Sequence, residues 1–166
     1  MAEVYANITG FPKYQISNHG NVKNVRTNRI LKPSISGRGY LQHKLSEDGE
    51  ISTKTIHKMV ANAFLENPEN KRCVDHQDRN RTNNNINNLR WATTIENAQN
   101  SSIKSNNISG VTGVSFHKAS QKWNARIRAD GRDIYLGLFE NKNDAIFARQ
   151  NAEIQYFGEY RNAQTI

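Results

Sequence analysis

The sequence predicts an α+β protein made of several small modules, and three observations support this fold class. Short stretches that alternate polar and apolar residues lie between Gly, Asn and Pro turn signals, early in the chain and again after residue 110. Other segments have the 3.6-residue apolar periodicity of amphipathic helices. The mean hydropathy of -0.83, with 36% hydrophobic residues, is low for a globular chain and favours small modules with extensive surface.

The N-terminal module is predicted to be β-rich and basic. The pieces YQIS, NVKNV, RILK and GYLQHKL are typical of short strands separated by turns. No Asp or Glu occurs from Lys13 to Lys44. The cations of this stretch are Lys13, Lys23, Arg26, Arg29, Lys32, Arg38 and Lys44. They form either a solvated basic face or a surface that follows DNA phosphates, and the absence of acidic residues favours the second interpretation.

A hairpin and a helix are predicted next. The stretch LSEDGEISTKTI has Asp48-Gly49 at its centre, a residue pair that favours a two-residue hairpin turn. The stretch HKMVANAFL then has helical periodicity, with Val60, Ala63 and Phe64 on one face.

A second helix is predicted within TTIENAQN, because Thr93 and Glu96 have the spacing of a capping box. This spacing places Asn97 in the first turn of the helix. Residues 101–110 are polar and lack periodicity, so they are predicted to form a linker.

The last third of the chain predicts a three-stranded antiparallel sheet packed on one helix. The stretches GVSFHK, KWNARIRA and RDIYLGLFE alternate apolar and polar residues, with a tight turn at 129–132. The apolar face consists of Val114, Phe116, Trp123, Ala125, Ile127, Ile134 and Leu136. The opposite face carries Ser115, His117, Asn124, Arg126, Arg128, Asp133 and Tyr135. An amphipathic helix in NKNDAIFARQNAEIQYF is predicted to cover the apolar face.

Charge and cysteine content limit the classes of function. The net charge of +8 and the pI of about 9.7 indicate a polyanionic partner. The single cysteine, Cys73, excludes an intramolecular disulfide framework and a cysteine-rich zinc site. No apolar run approaches the roughly 18 residues that span a membrane, and no signal-peptide pattern opens the chain. We therefore expect a soluble, cytoplasmic protein with no membrane partner.

Three polar residues suggest a hydrolytic centre. Asp75 and His76 are adjacent, and Asn97 lies one turn into a predicted helix. A carboxylate and an amide oxygen suit Mg²⁺ or Mn²⁺, and a neutral histidine suits a general base. Together they would hydrolyse phosphodiester bonds with one metal ion. Because neighbouring residues of a strand point to opposite faces, Asp75 and His76 can share a site only at a strand end or a strong twist.

Several stretches resemble known families. VDHQDRNRTNNNINNLRWATTIEN resembles the signature of the HNH endonucleases, the ββα-metal nucleases, and IHKMVANAF resembles the segment before it in phage and intron-encoded homing enzymes. ITGFPKYQISNHGNVKN resembles the NUMOD-type DNA-binding module. The stretch from GVTGVSFHK to AEIQYFGE is similar to the Apetala/ethylene-response-factor (ERF) DNA-binding domain of plants.

The HNH resemblance assigns a role to four residues. It implies that His76 is the general base and that Asp75 binds the metal ion. It implies that Asn88 orients the histidine and ties the loop to the second strand. Asn97 matches the third position of the signature, which is often histidine elsewhere, and an asparagine there favours a hard ion, Mg²⁺ or Mn²⁺, over zinc.

The ERF resemblance implies a DNA-reading role for the C-terminal sheet. Arg126 and Arg128 match arginines that read the major groove, and Tyr135 replaces an aromatic contact residue. Ser115 and Asp133 occupy positions where arginine is common. The docking mode on DNA is therefore expected to be shared with the plant domains. The DNA sequence that is recognised is expected to differ.

We expect four parts: a NUMOD-type module at 1–50, an HNH core at 51–100 with a ββα-metal fold, the linker at 101–110, and an ERF-like domain at 111–166. The predicted function is a site-preferring DNA endonuclease of the homing type, acting as a monomer on double-stranded DNA, in the host cytoplasm if phage-encoded. A restriction-like HNH nuclease and an inactive DNA-binding regulator are the alternatives.

Overall fold

The structure, a computed structural model, describes residues 1–100, 107–129 and 131–160. The chain divides into two compact units, Met1–Asn97 and Ala98–Ile166. The α+β class is confirmed. The predicted boundary after residue 50 falls inside the first unit. Most of the predicted linker, and Asp130 of the predicted turn, lie outside the described residues.

The first three strands form an antiparallel sheet, with β1 (Tyr5–Ile8) paired to β2 (Phe11–Ser17) and β2 paired to β3 (Val22–Asn24). Ile16 and Val22 are partners across β2 and β3, and both are fully buried. The RILK stretch, predicted as a strand, contributes a single bridge between Ile30 and Lys23. Leu31 of this stretch packs against the core, and its backbone N–H donates to the carbonyl of Val22 at 2.8 Å, so the stretch is held against β3 without forming a regular strand.

A second sheet contains β4 (Ser34–Ile35), β5 (Leu41–Glu47) and β6 (Glu50–Thr55), with β5 in the centre. The predicted hairpin is confirmed, because Glu47 pairs with Glu50 around a two-residue turn. Asp48 and Gly49 both have positive φ, 48° and 84°, as this turn requires.

One helix, α1 (Ile56–Phe64), follows β6 directly, as the sequence periodicity predicts. It buries one face against strands of both sheets, so the first unit has one apolar core. The buried core residues are Ile8, Phe11, Ile16, Val22, Leu45, Ile56, Met59, Val60, Ala61, Val74 and Leu89. At about 25 cal/mol per Å² of apolar surface, this shared burial is the main stabilising contribution in the unit.

A two-stranded sheet of β7 (Cys73–His76) and β8 (Leu89–Ala92) leads into α2 (Thr94–Gln99). The capping box at the start of α2 is confirmed. The backbone N–H of Thr93 donates to Oε2 of Glu96 at 2.6 Å, and the backbone N–H of Glu96 donates to Oγ1 of Thr93 at 3.2 Å.

Asparagine and aspartate side chains hold the loop between β7 and β8. Nδ2 of Asn88 donates to Oδ1 of Asp78 and to the carbonyl of Asn83, both at 2.8 Å, and its Oδ1 accepts from the backbone N–H of Asp78 at 3.0 Å. Nδ2 of Asn83 donates to Oδ2 of Asp78 at 2.7 Å. Partial burial alone would raise the pKa of Asp78, but the hydrogen bonds from Asn83, Asn80 and Asn88 lower it. The loop is thus ordered by polar contacts.

In the second unit, β10 (Lys122–Ala129) lies between β9 (Val114–His117) and β11 (Arg132–Phe139), and α3 (Lys142–Phe157) packs on this sheet. The predicted alternation is confirmed: Val114, Ala125 and Ile127 are buried, and the residues between them are more exposed. Phe116 departs from it, with 36% of its surface exposed. No helix in the described part of the chain is both long and apolar enough to cross a membrane.

Replacing Asn88 with Ala is expected to lower the free energy of unfolding by about 2 kcal/mol, because three hydrogen bonds of this buried side chain, with Asp78 and Asn83, are lost. Asn87 is the matched control, since it lies in the same loop with an exposed side chain. Asn87→Ala is expected to change stability by less than about 0.5 kcal/mol. Denaturant unfolding measures both values, and equal stability of the two variants would contradict the loop's dependence on Asn88.

Candidate active site

The end of strand β7 places Asp75 and His76 in the interior of the first unit, with 4% and 5% of their surfaces exposed. His76 is the last residue of the strand, and it pairs with Leu89, while Asp75 pairs with Arg90. Oδ2 of Asp75 accepts from Nε and Nη2 of Arg90 at 2.9 and 2.8 Å. This two-pronged ion pair fixes the orientation of the carboxylate.

Asn84 contacts the ring of His76, with 3.1 Å between its Oδ1 and Nε2 of the histidine. Nδ2 of Asn84 donates to the carbonyl of Thr82 at 3.2 Å, which directs the amide oxygen toward the imidazole. An amide oxygen only accepts hydrogen bonds, so this contact requires a proton on Nε2. The neutral ring then carries its lone pair on Nδ1, the nitrogen that can take a proton from water.

Aromatic rings line one side of His76. The ring of His57 lies edge-on, with 5.2 Å between centroids, and the ring of Tyr40 lies 6.0 Å away. The Arg81 guanidinium lies over Tyr40, 4.9 Å from the ring centre, and its Nη1 donates to the carbonyl of Arg38 at 2.6 Å. This arrangement places the Arg81 guanidinium near the histidine and ties it to the backbone of Arg38.

Burial keeps both histidines neutral. It lowers the pKa of His76, and the hydrogen bond with Asn84 and the charges of Asp78 and Asp75 oppose that shift. Burial, reinforced by the nearby His76, lowers the pKa of His57 to about 3. His76 is therefore a neutral imidazole at neutral pH, the form that acts as a general base.

The donor atoms of Asp75 and Asn97 fit a hard divalent ion. One offers a carboxylate and the other an amide oxygen, and such ions prefer oxygen ligands. Asn97 is half-buried in the first turn of α2, where its backbone N–H donates to the carbonyl of Thr93 at 3.0 Å. Among the described residues, no three His, Cys, Asp or Glu side chains form a metal-binding group. A hard ion takes about six oxygen ligands, so two protein ligands would leave positions for water and phosphate.

The residues predicted for the site have different surroundings. His76 contacts Asn84, whereas the side-chain hydrogen bonds of Asn88 all stay within the loop, to Asp78 and Asn83. The resemblance implies two roles for Asn88, and these contacts agree with the role of tying the loop. The contact with the histidine ring is made by Asn84 instead. Sequence reasoning missed Asn84 because nothing in an asparagine run marks the one side chain that turns inward.

The predicted DNA-binding cations of the first unit are mostly exposed. Two have intramolecular contacts: Nζ of Lys13 lies 3.3 Å from Oε1 of Glu47, and Nζ of Lys23 lies 4.1 Å from the ring centre of Tyr5. Exposed side chains belong to Arg26, Arg29, Lys32, Arg38 and Lys44. Glu47 lies just after the acid-free stretch in sequence. Its ion pair with Lys13 offsets part of the positive charge of that stretch.

In the second unit, the predicted DNA-binding residues share the face of the sheet opposite α3. Arg126 pairs with Tyr135 across β10 and β11, and Arg128 pairs with Asp133. Nη1 of Arg128 lies 3.7 Å from Oδ2 of Asp133, an exposed ion pair that contributes little to stability. Asp133 therefore offsets part of the charge of Arg128, while Arg126 lies beside an exposed tyrosine.

Two known families match segments of the chain. Residues 3–46 match the NUMOD4 motif, and residues 66–99 match the HNH endonuclease family. These ranges lie within the modules predicted at 1–50 and 51–100. The HNH match ends at residue 99, two residues into the second unit, and neither match reaches the sheet of β9, β10 and β11.

Similar proteins occur in viruses and phages. An uncharacterized HNH endonuclease of Acanthamoeba polyphaga mimivirus, L247, is 42% identical over 94 residues, which cover 55% of this chain and 24% of that protein. The DNA endonuclease I-HmuI of Bacillus phage SP01 is 39% identical over 87 residues, covering 52% of this chain and 50% of the enzyme. The chain thus spans a quarter to a half of these two relatives in the aligned regions.

A solved structure, described as DNA binding and cleavage by the HNH homing endonuclease I-HmuI, is also similar. Its TM-score is 0.55 with 26% sequence identity, and the match covers 91% of this chain and 88% of that one. The chain therefore contains one segment that matches the NUMOD4 motif and a later one that matches the HNH endonuclease family, and its fold is similar to that of a phage homing endonuclease.

Proposed function

We propose that the protein is a site-preferring DNA endonuclease of the homing type that hydrolyses phosphodiester bonds in double-stranded DNA. The observation that carries this proposal is the buried His76, held neutral beside Asp75 at the end of β7, within the range that matches HNH endonucleases. We further propose that it acts as a monomer on DNA, in the cytoplasm.

His76 is the general base of the proposed reaction. Its Nδ1 takes a proton from the attacking water, while Nε2 keeps its own proton through the contact with Asn84. The imidazolium that forms is stabilised by the nearby carboxylates of Asp75 and Asp78, which oppose the effect of burial on the histidine pKa. Proton transfer of this kind contributes about 10²–10⁴ in rate.

Asp75 and Asn97 are the proposed ligands of one divalent ion, Mg²⁺ or Mn²⁺. When bound, such an ion polarises the phosphate and neutralises charge on the leaving oxygen. The Arg90 side chain keeps the Asp75 carboxylate in one orientation, and the capping box fixes the first turn of α2, which carries Asn97. Both supports lie within the first unit, so its own residues preorganise the site.

The exposed cations are the proposed DNA contacts. Those from Lys13 to Lys44 follow phosphates, and the ERF-like face of Arg126, Arg128 and Tyr135 reads base edges in the major groove. The base-reading role is supported by the position of Arg126, which lies beside the exposed Tyr135 on the face of the sheet that α3 does not cover. Two binding regions on one chain lengthen the footprint without a dimer.

His76→Ala is expected to reduce the single-turnover cleavage rate by about 10²–10⁴, because the general base is lost. DNA affinity is expected to stay within a few-fold of wild type, since the phosphate contacts lie elsewhere. Cleavage is measured at saturating protein on supercoiled plasmid and on the DNA that flanks the gene of this protein. Each reaction is run with added Mg²⁺ or Mn²⁺ and again with a chelator.

The control is His117→Ala, which removes an exposed histidine of the second unit and is expected to keep the cleavage rate of bound DNA. Wild-type cleavage by His76→Ala, or cleavage by wild type that persists in chelator, would contradict the mechanism. DNA binding by wild type without cleavage under any metal condition would identify an inactive DNA-binding regulator instead.

Arg126→Ala combined with Arg128→Ala is expected to weaken binding and site preference without unfolding the protein, because both side chains are exposed. A well-formed bidentate base contact contributes about 1–3 kcal/mol. Each lost phosphate contact should reduce the log–log salt slope by about one. Binding titrations at several salt concentrations, on matched and scrambled sites, measure both effects.

The matched control removes two other exposed cations of the same unit, Lys118→Ala with Arg132→Ala. It has the same net charge as the test variant but keeps the proposed reading face. Equal binding by the two double variants would show that net charge, and not this face, accounts for the contribution of the second unit.

A further inference from the structure

A turn of the NUMOD4 motif contacts the loop that holds the active-site histidine. The turn comprises Asn18 to Gly20 and joins β2 to β3. The backbone N–H of Ile86 donates to the carbonyl of Asn18 at 2.8 Å. Gly20 lies so close to the loop that an added Cβ would be 2.9 Å from Cβ of Asn84 and 3.2 Å from Cγ2 of Ile56.

The turn is itself fixed from the N-terminal side. Asn18 is 1% exposed, and its side chain forms two hydrogen bonds with the first residues of the chain. Its Oδ1 accepts from the backbone N–H of Val4 at 3.0 Å, and its Nδ2 donates to the carbonyl of Ala2 at 3.0 Å. The first residues of the chain therefore hold in place a turn that contacts the loop between β7 and β8.

Asn84 connects this turn to the histidine. Its side chain is 4% exposed, and it lies between Gly20 on one side and the His76 ring on the other. The hydrogen bond between Oδ1 of Asn84 and Nε2 of His76 selects the tautomer with the lone pair on Nδ1. A displacement of Asn84 would release the ring to adopt the other tautomer or another rotation.

We propose that Asn84 is a positioning residue for His76, and that the Asn18–Gly20 turn of the NUMOD4 motif holds Asn84 in place. The NUMOD4 motif is then part of the catalytic apparatus in addition to any contact it makes with DNA. This inference rests on the proposed nuclease function only in its kinetic consequence, because the contact itself can be tested on the uncomplexed protein.

The first experiment compares Asn84→Ala with Asn87→Ala in the full chain. Two-bond ¹H–¹⁵N spectra of the histidine rings at neutral pH report which nitrogen of His76 carries the proton. Asn84→Ala is expected to lose the Nε2-protonated signature and to slow single-turnover cleavage by about 10- to 100-fold, with DNA affinity unchanged. Asn87→Ala is expected to match wild type in both. A wild-type tautomer and rate in Asn84→Ala would overturn the positioning role.

The second experiment compares Gly20→Ala with Gly10→Ala. Both glycines have left-handed φ, 91° and 77°, so both variants carry the same kind of backbone strain. An added Cβ at Gly10 meets no atom within 4 Å, whereas at Gly20 it meets Asn84. Only Gly20→Ala is therefore expected to shift the His76 tautomer signature and to slow cleavage, again by about 10-fold or more.

Asn18→Ala serves as the second variant should Gly20→Ala fail to fold, because it loosens the turn without adding an atom. Unchanged tautomer and rate in Gly20→Ala, or in Asn18→Ala if that variant is needed, would overturn the coupling between the motif and the site. If wild type cuts no DNA, the proposed function fails, and the tautomer spectra still decide the positioning claim.

Discussion

The shared apolar core around α1 is the constraint on which the first unit depends. Residues on both sides of the predicted boundary bury their side chains in it, with Ile16 and Val22 from the segment that matches the NUMOD4 motif and Val74 and Leu89 from β7 and β8. A two-stranded sheet such as β7–β8 is marginally stable in water by itself. Its geometry, and therefore the position of His76, depends on packing against α1 and on the strands that α1 also covers.

Polar contacts order the loop between β7 and β8. The loop between the nuclease strands has little apolar content, so hydrogen bonds among Asp78, Asn83 and Asn88 order it. Asparagine suits this task because its amide both donates and accepts, and because it forms local bonds with the backbone. The density of asparagines in this stretch is thus explained by loop structure for most of them and by the histidine contact for Asn84.

Local features of the fold could be predicted from the sequence. The Asp48-Gly49 turn, the Thr93–Glu96 capping box and the alternation along β10 each depend on residues close together in the chain. The HNH resemblance also pointed to Asp75 and His76, which are buried at the end of β7, and their catalytic roles stay predictions. Such features carry their own residue-level signals, so a single sequence suffices for them.

Long-range contacts could not be predicted, because no local pattern encodes them. The ion pair between Asp75 and Arg90 and the contact of Gly20 with Asn84 both depend on how separate elements pack. The same holds for the burial of His57 against His76, which the helix periodicity alone did not link to the site. The NUMOD-type stretch was expected to bind DNA, whereas its contact with the loop between β7 and β8 depends on the packing of the whole unit.

Native-state hydrogen exchange of the full chain tests the central claim, that one core joins the NUMOD4 and HNH motifs, most directly. If the claim holds, the most protected amides of β1–β3 and of β7–β8 exchange with the same opening free energy and the same dependence on denaturant, because they open in one cooperative step. A markedly lower opening free energy for β1–β3, with β7–β8 and α1 still protected, would show that the N-terminal motif is an independent attachment and would contradict the account.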